Sequence, residues 1–446
     1  MTFTVGTAAA VITPPVGTPM EGYSARRDVS QGVHDDLYAR ALVLDDGTSA
    51  VALVSCDLVG VDRRLVSDAR QRASEATGLR PNHILIAATH THAGPAGLRR
   101  DVDEALLDVT ARHIAGAVAS AYRRRRPAVL KVGTARVDSV SQNRRHPEWP
   151  IDSSLTVLLL DDPDPLQPPI AAVINFACHA TVLFHTNLLI SADYPGSAVR
   201  TAERVFPGLG VLFLNGACGN VNPAWVSQEF AEADRVGTVV GAAAARLIAE
   251  LRPLGPGQRA HNIRWDEHTE KAVTAGDLVE EVRLRVGSRH VDLPMKTFLS
   301  PEEYEATLRE LDGQMAALDS TSGRDERRRL MSQLTRLRTE RTVASRMAGQ
   351  KDRMLHPELM AISLGSDLAL LGLPGEFFVE TVDEIRARAG LRYLPVACYA
   401  NHYIGYVVPP AAFDEGGYET GVTLAAPEAE SIVQEEALAM LDELKR

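Results

Sequence analysis

The chain has 446 residues, 45% apolar and 24% charged, with 47 basic against 58 acidic side chains and a net charge of −11. That mix excludes a disordered, collagen-like or membrane-embedded chain, and no long basic patch offers itself to nucleic acid. Four cysteines, Cys56, Cys178, Cys218 and Cys398, form no CxxC pair, which excludes a disulfide scaffold or a cysteine-rich zinc finger.

The opening residues have no basic region, and their apolar run is cut by Thr13, Pro14 and Pro15. No signal peptide and a cytoplasmic location are therefore expected. Strand-like runs follow at Ala39–Leu44, Ala50–Cys56, Ile84–Thr89, Ser154–Leu160, Ala171–Ala177 and Gly210–Leu214. Helices are expected over Asp62–Ala76, stopped by Gly78, over Asp101–Tyr122 and over Gln228–Leu251. This alternation predicts an α/β fold, and short turns such as Asp45–Gly47 predict mixed rather than purely parallel sheets. Pro301–Leu318 and Asp325–Met347, rich in Glu, Arg, Leu and Ala, read as a charged helical hairpin turning at Ser320–Gly323. A solvated excursion is favoured there over a lid or an oligomer contact. Strands return at Leu359–Leu364, Leu368–Leu373 and Leu394–Ala400, and a helix closes the chain over Pro427–Leu444. One catalytic domain over 1–446, with an insertion at about 300–350, is the simplest account.

The usual short catalytic motifs (HExxH, GxSxG, P-loop, GxGxxG) are absent. Histidines at strand ends stand out instead. His90 and His92 follow an apolar strand, and on an extended chain residues two apart project to one side. His179 ends the Val173–Ala177 run; alone, such a histidine is more often structural. Cys178 beside it reads as a small buried hydrophobe. Glu376 follows a Pro-Gly turn amid apolar residues and needs a partner if buried. The segment Tyr399–Tyr406 is polar and aromatic after another strand. Two or more histidines with one carboxylate make a hydrolytic zinc set with room for water.

These segments resemble the catalytic domain of the neutral/alkaline non-lysosomal ceramidases, zinc-dependent amidases. The likeness runs in order through Val5–Pro14, Met20-Glu21-Gly22-Tyr23, Gln31–His34, Tyr38–Ala41 and Ser55–Leu58. It continues through Thr89–His92, Asn143-Arg144, Ser191–Asp193, Leu373–Glu376, Asn401–Tyr406 and Tyr418-Glu419, sparing the hairpin. The resemblance implies one zinc per chain on His90, His179, Glu376 and Tyr403. That His90 rather than His92 is the ligand rests on the resemblance alone. It implies His92 as a proton shuttle or carbonyl donor and Arg144 as an oxyanion donor. Tyr406 and His402 are expected at the substrate.

The chain also departs from the family. Where the family has Gly-Asp-Val-Ser-Pro-Asn, this chain has Gly219-Asn220-Val221-Asn222-Pro223-Ala224, so Asn222 replaces a catalytic serine and can only orient water or a carbonyl. The family's C-terminal domain and a secretion signal are expected to be lacking. The expected reaction is hydrolysis of an N-acyl type carboxamide by zinc-activated water. The alternatives are a zinc esterase or lactonase, a true ceramidase, a non-catalytic binding relative, or a thiol hydrolase on Cys218. The expected substrate is a small polar amide, with Arg144, Arg145, His146 or His402 available to a carboxylate. No membrane insertion is expected, and a homo-oligomer is left open.

Overall fold

Apolar strands that end in polar loops dictate the layout. The computed structural model describes residues 2–99, 101–253, 260–263, 268–271, 276–318, 324–348 and 354–445. The first sheet holds β1 (Thr4–Val11), β2 (Tyr38–Asp45), β3 (Ala50–Cys56), β4 (Ile84–Ala88) and β5 (Arg126–Pro127), in the order β4-β3-β2-β1-β5. β2 and β3 are antiparallel across the expected turn, whereas β3 and β4 are parallel and joined through α1 (Arg63–Thr77). Asp62 caps α1 by accepting from Arg64 N at 2.8 Å, and Gly78 ends it at φ 78°, where only glycine is unstrained. Helix α2 (Glu104–Arg123) packs beside α1.

The second sheet holds β6 (Val129–Arg136), β7 (Ser154–Asp161), β8 (Ala171–Phe176), β9 (Gly210–Asn215) and β10 (Gly276–Val279), in the order β9-β8-β7-β6-β10. β8 and β9 are parallel, with α3 (Asp193–Val205) between them in sequence and α4 (Phe230–Leu251) packed on α3. The third sheet orders β11 (Arg285–His290), β12 (Glu358–Ser363), β13 (Ala369–Gly372) and β14 (Val396–Ala397). β13 and β14 are again parallel, around α7 (Val379–Ala389). The charged hairpin forms α5 (Pro301–Ala317) and α6 (Arg324–Arg346). Its turn lies outside the described residues. Short helices Pro410–Glu415 and Tyr418–Val422 precede the closing helix Ala429–Lys445.

Leu42 and Leu85 of the first sheet, Leu158 and Leu212 of the second, and Ile362 and Leu370 of the third share one inner core. Alternate residues turn the other way: Ala41 and Ile86 belong to the core that holds α1 and α2, and Ile174 and Phe213 to the one that holds α3 and α4. Sheets buried on both faces read as continuous apolar runs, which is why their positions were legible.

Two expectations need correction. The strand expected over Leu394–Ala400 is regular only at Val396–Ala397, with Ala400 bridging singly to Ala87, because Tyr399 and Asn401 turn the chain at φ 57° and 59°. The hairpin is also more than a solvated excursion. Ser332 Oγ donates to Glu415 O at 2.8 Å, and Arg328 donates to Arg145 O at 2.9 Å, so α6 braces the 410–422 segment.

Candidate metal centre

Each sheet contributes one parallel strand pair, and the carboxyl ends of all three pairs meet. Ala88 N donates to Tyr399 O at 3.2 Å, and Cys398 N to Asn215 O at 2.9 Å. Buried Asn215, at the end of β9, donates to Thr89 O at 3.1 Å and to Cys178 O at 3.0 Å, stitching the ends of β4 and β8 together. Crevices at the carboxyl ends of parallel strands are where α/β folds place ligands.

Four buried or partly buried groups converge there. His90 follows β4, His179 follows β8, Glu376 follows β13, and Tyr403 follows β14. His90, His179 and Glu376 are each at most 2% exposed. His179 Nε2 lies 3.0 Å from Glu376 Oε2 and His90 Nε2 3.5 Å from it. Ring nitrogens of His90, His92 and His179 lie within 4.8 Å of one another. Tyr403 donates its hydroxyl to Glu376 Oε1. His90 and His92 come together, but not as residues two apart on an extended strand. His90 sits at φ 69°, off the strand, and the rings meet with Nε2 atoms 3.1 Å apart because the chain turns. Gly22 permits this packing: a Cβ there would lie 2.6 Å from the His92 ring.

The donor set fits a metal ion. His90 Nδ1 lies 2.5 Å from Val59 O, and His179 Nδ1 2.5 Å from Cys218 O. A carbonyl can only accept, so both Nδ1 atoms carry the hydrogen and both Nε2 atoms present lone pairs inward. Burial lowers His179 to about 4, so it is neutral at pH 7. Burial works against charge on Glu376, and positive charge at His90 and His179 would hold it well below the ordinary carboxylate range; with neutral rings that positive charge falls to an ion between them. Inward lone pairs facing a carboxylate repel unless a cation lies between them. Burial raises Tyr403 well above its ordinary value, and Glu376 adds to this, so it stays a phenol.

Arg144 stands beside this centre. It donates to Glu419 Oε1 at 2.7 Å, to Tyr406 Oη at 2.9 Å and to Asn222 Oδ1 at 3.5 Å. Arg145 donates to the other Glu419 oxygen at 2.8 Å, so one buried carboxylate aligns both guanidiniums. Asn220 is structural: it accepts from Val379 N and donates to Glu380. Several sequence assignments shift as a result. Arg145 is engaged by Glu419, Glu415 and Gly416 O. His146 stacks on Trp149 at 3.8 Å and faces Arg328 of the hairpin. His402 lies among Asp62, Arg63, His290 and Arg99. Cys218 faces the Tyr399 hydroxyl at 3.0 Å, and burial pushes its thiol well above the ordinary range, so it is no nucleophile. Asn215, Glu419 as the aligner of Arg144, and a Glu21–Arg99 pair beside Tyr403 were missed; Glu21 and Glu419 lay within the resemblance but carried no chemical signal of their own.

The fold and the site together define an α/β protein with a buried His-Glu-Tyr centre at convergent strand ends, and the chain resembles the neutral ceramidases in both sequence and structure. Residues 3–211 match the family "Neutral/alkaline non-lysosomal ceramidase, N-terminal". Neutral ceramidase of Pseudomonas aeruginosa is 24% identical over 93% of this chain and 68% of its own length. That of Drosophila pseudoobscura pseudoobscura is 25% identical over 70% of this chain and 46% of its own. The crystal structure of the Pseudomonas enzyme superposes with a TM-score of 0.76 at 22% identity, over 100% of this chain and 75% of that one. The chain thus spans 68% of one of these relatives and less than half of the other.

Proposed function

We propose that this protein hydrolyses a carboxamide bond with water, at a single zinc ion held by His90, His179, Glu376 and Tyr403. The observation that carries this reading is the pair of inward Nε2 lone pairs, each fixed by an Nδ1–H bond to a carbonyl, facing the Glu376 carboxylate. A bound zinc ion would supply Lewis acidity and lower the pKa of a water to about 7. The chain's own groups complete the reaction. Arg144, aligned by Glu419, donates to the oxygen on which charge develops. Burial and the neighbouring histidines hold His92 well below its ordinary value, so it sits neutral, takes a proton from the attacking water and passes it to the leaving nitrogen. Asn222, hydrogen-bonded to Arg144, orients the attacking water or the carbonyl.

The names of the relatives favour a ceramide-type amide, and the charged groups around the centre favour a smaller polar one. A panel of long-chain ceramides in detergent and soluble N-acyl amides, run side by side, separates the two. Measurable cleavage of a soluble amide and weak or no cleavage of long-chain ceramide is expected. Faster turnover of ceramide than of any soluble amide would overturn the small-substrate part. Turnover of esters but no amide would overturn the amidase assignment.

A further inference from the structure

The charges around the centre do not balance equally on its two sides. On the Arg144 side, Arg144 and Arg145 are answered by Glu419 and Glu415. On the other side, Glu21 and Arg99 form an ion pair at 2.6 Å, with side chains only 17% and 10% exposed. The pair bridges the two flanks of the centre. Glu21 precedes Gly22, whose backbone packs on the His92 ring, and the Arg99 guanidinium lies 4.0 Å over the Tyr403 ring. Arg26 adds a second positive charge. It is buried, and its four hydrogen bonds all go to backbone carbonyls, including Glu21 O at 3.0 Å and His92 O at 2.7 Å. Of the two guanidiniums, Arg99 has a carboxylate in contact and Arg26 donates to backbone carbonyls.

Unmatched polar atoms lie on the same side. Arg99 Nε is a buried donor without a hydrogen-bond partner, and His402 Nδ1, a donor or an acceptor according to tautomer, is also buried and unmatched. A buried unmatched donor costs stability unless a ligand completes it. An alkyl chain laid against this wall would bury the pair without replacing its water, which is unfavourable. A carboxylate would accept from Arg99 in a charge-assisted bond.

We propose that Arg99, set by Glu21, is the specificity-determining residue, and that the substrate is an amide carrying a carboxylate a few bonds from the scissile bond. This rests on the amidase reading of the same centre. The test compares N-acetylglycine and N-ethylsuccinamic acid, which carry the carboxylate on the amine and acyl sides, with neutral N-ethylacetamide. At least one of the acids should exceed the neutral amide in kcat/KM by about 10- to 100-fold, mainly through KM. Arg99→Gln should erase that preference with zinc content retained, and Arg99→Lys should restore part of it. Equal turnover of acids and neutral amide by the wild type, or a preference that survives Arg99→Gln, would overturn the proposal. Should no amide be cleaved, calorimetric binding of N-acetylglycine decides separately. Binding weakened about tenfold or more in Arg99→Gln supports the anion site while the amidase reading fails, and equal or undetectable binding by both proteins refutes the site.

Discussion

Asn222 and Arg144 share one hydrogen bond of 3.5 Å, long enough that neither depends on the other for position. Arg144 is fixed instead by Glu419 at 2.7 Å. Asn222→Ala should therefore lower kcat by at most about 10²- to 10³-fold, the range for one oxyanion-type donor, while KM and zinc content hold. A covalent acyl-enzyme trapped on any side chain would contradict direct attack by water. Glu419→Gln removes the charge that aligns both arginines, so its kcat should fall and methylguanidine should not rescue it. Unchanged kcat in that variant would remove Arg144 from the reaction.

At the scale of elements, the βαβ crossovers deliver the centre, and buried ion pairs hold the layers around it. Arg70 of α1 donates to Ile84 O at 2.7 Å and pairs with Glu358 of β12 at 2.6 Å, both nearly buried, which ties the first sheet's helix to the third sheet. Arg70→Ala leaves Glu358 buried and uncompensated, so the chain should lose about 3–5 kcal/mol of stability. Arg70→Met with Glu358→Leu should recover most of that in chemical denaturation. A loss below about 1 kcal/mol in the single variant would mean that water already reaches the pair. The same scale explains what the sequence could show. Doubly buried strands such as Ile84–Ala88 and Ala171–Phe176 announce themselves as apolar runs, and Gly78 marked the end of α1. Helix α3 went unseen because Asp193-Tyr194-Pro195-Gly196 at its start looks like a loop. His90, His179, Glu376 and Tyr403 were visible as polar residues at strand ends. The partners that set their chemistry were not, because Val59 O and Cys218 O are backbone atoms that no side-chain pattern encodes.

Across the whole molecule, the hairpin and the body flank an open cleft of about 690 Å³ that Lys296 lines. Lys296 donates to Thr420 O at 2.8 Å and to Gly421 O at 3.2 Å, on the segment that carries Glu419. Burial lowers its ammonium to about 8, from 10.5 for an exposed lysine. The folded chain thus holds this proton more weakly than the unfolded one, and the Lys296 contribution to stability improves as pH rises from about 8 towards 10.5. Thermal midpoints should show that rise in the wild type relative to Lys296→Met across this window; parallel curves would show that the ammonium is solvated. Among the described residues, no helix is long and apolar enough to cross a membrane. The central proposal is that four strand ends, one from each of the first two sheets and two from the third, assemble one zinc site. Elemental analysis of the purified wild type and of His179→Ala, each checked for fold by circular dichroism, tests it most directly. One zinc per wild-type chain, with most metal and activity lost in a folded His179→Ala, is the predicted result. A wild type without bound metal that keeps full activity after chelation would contradict it.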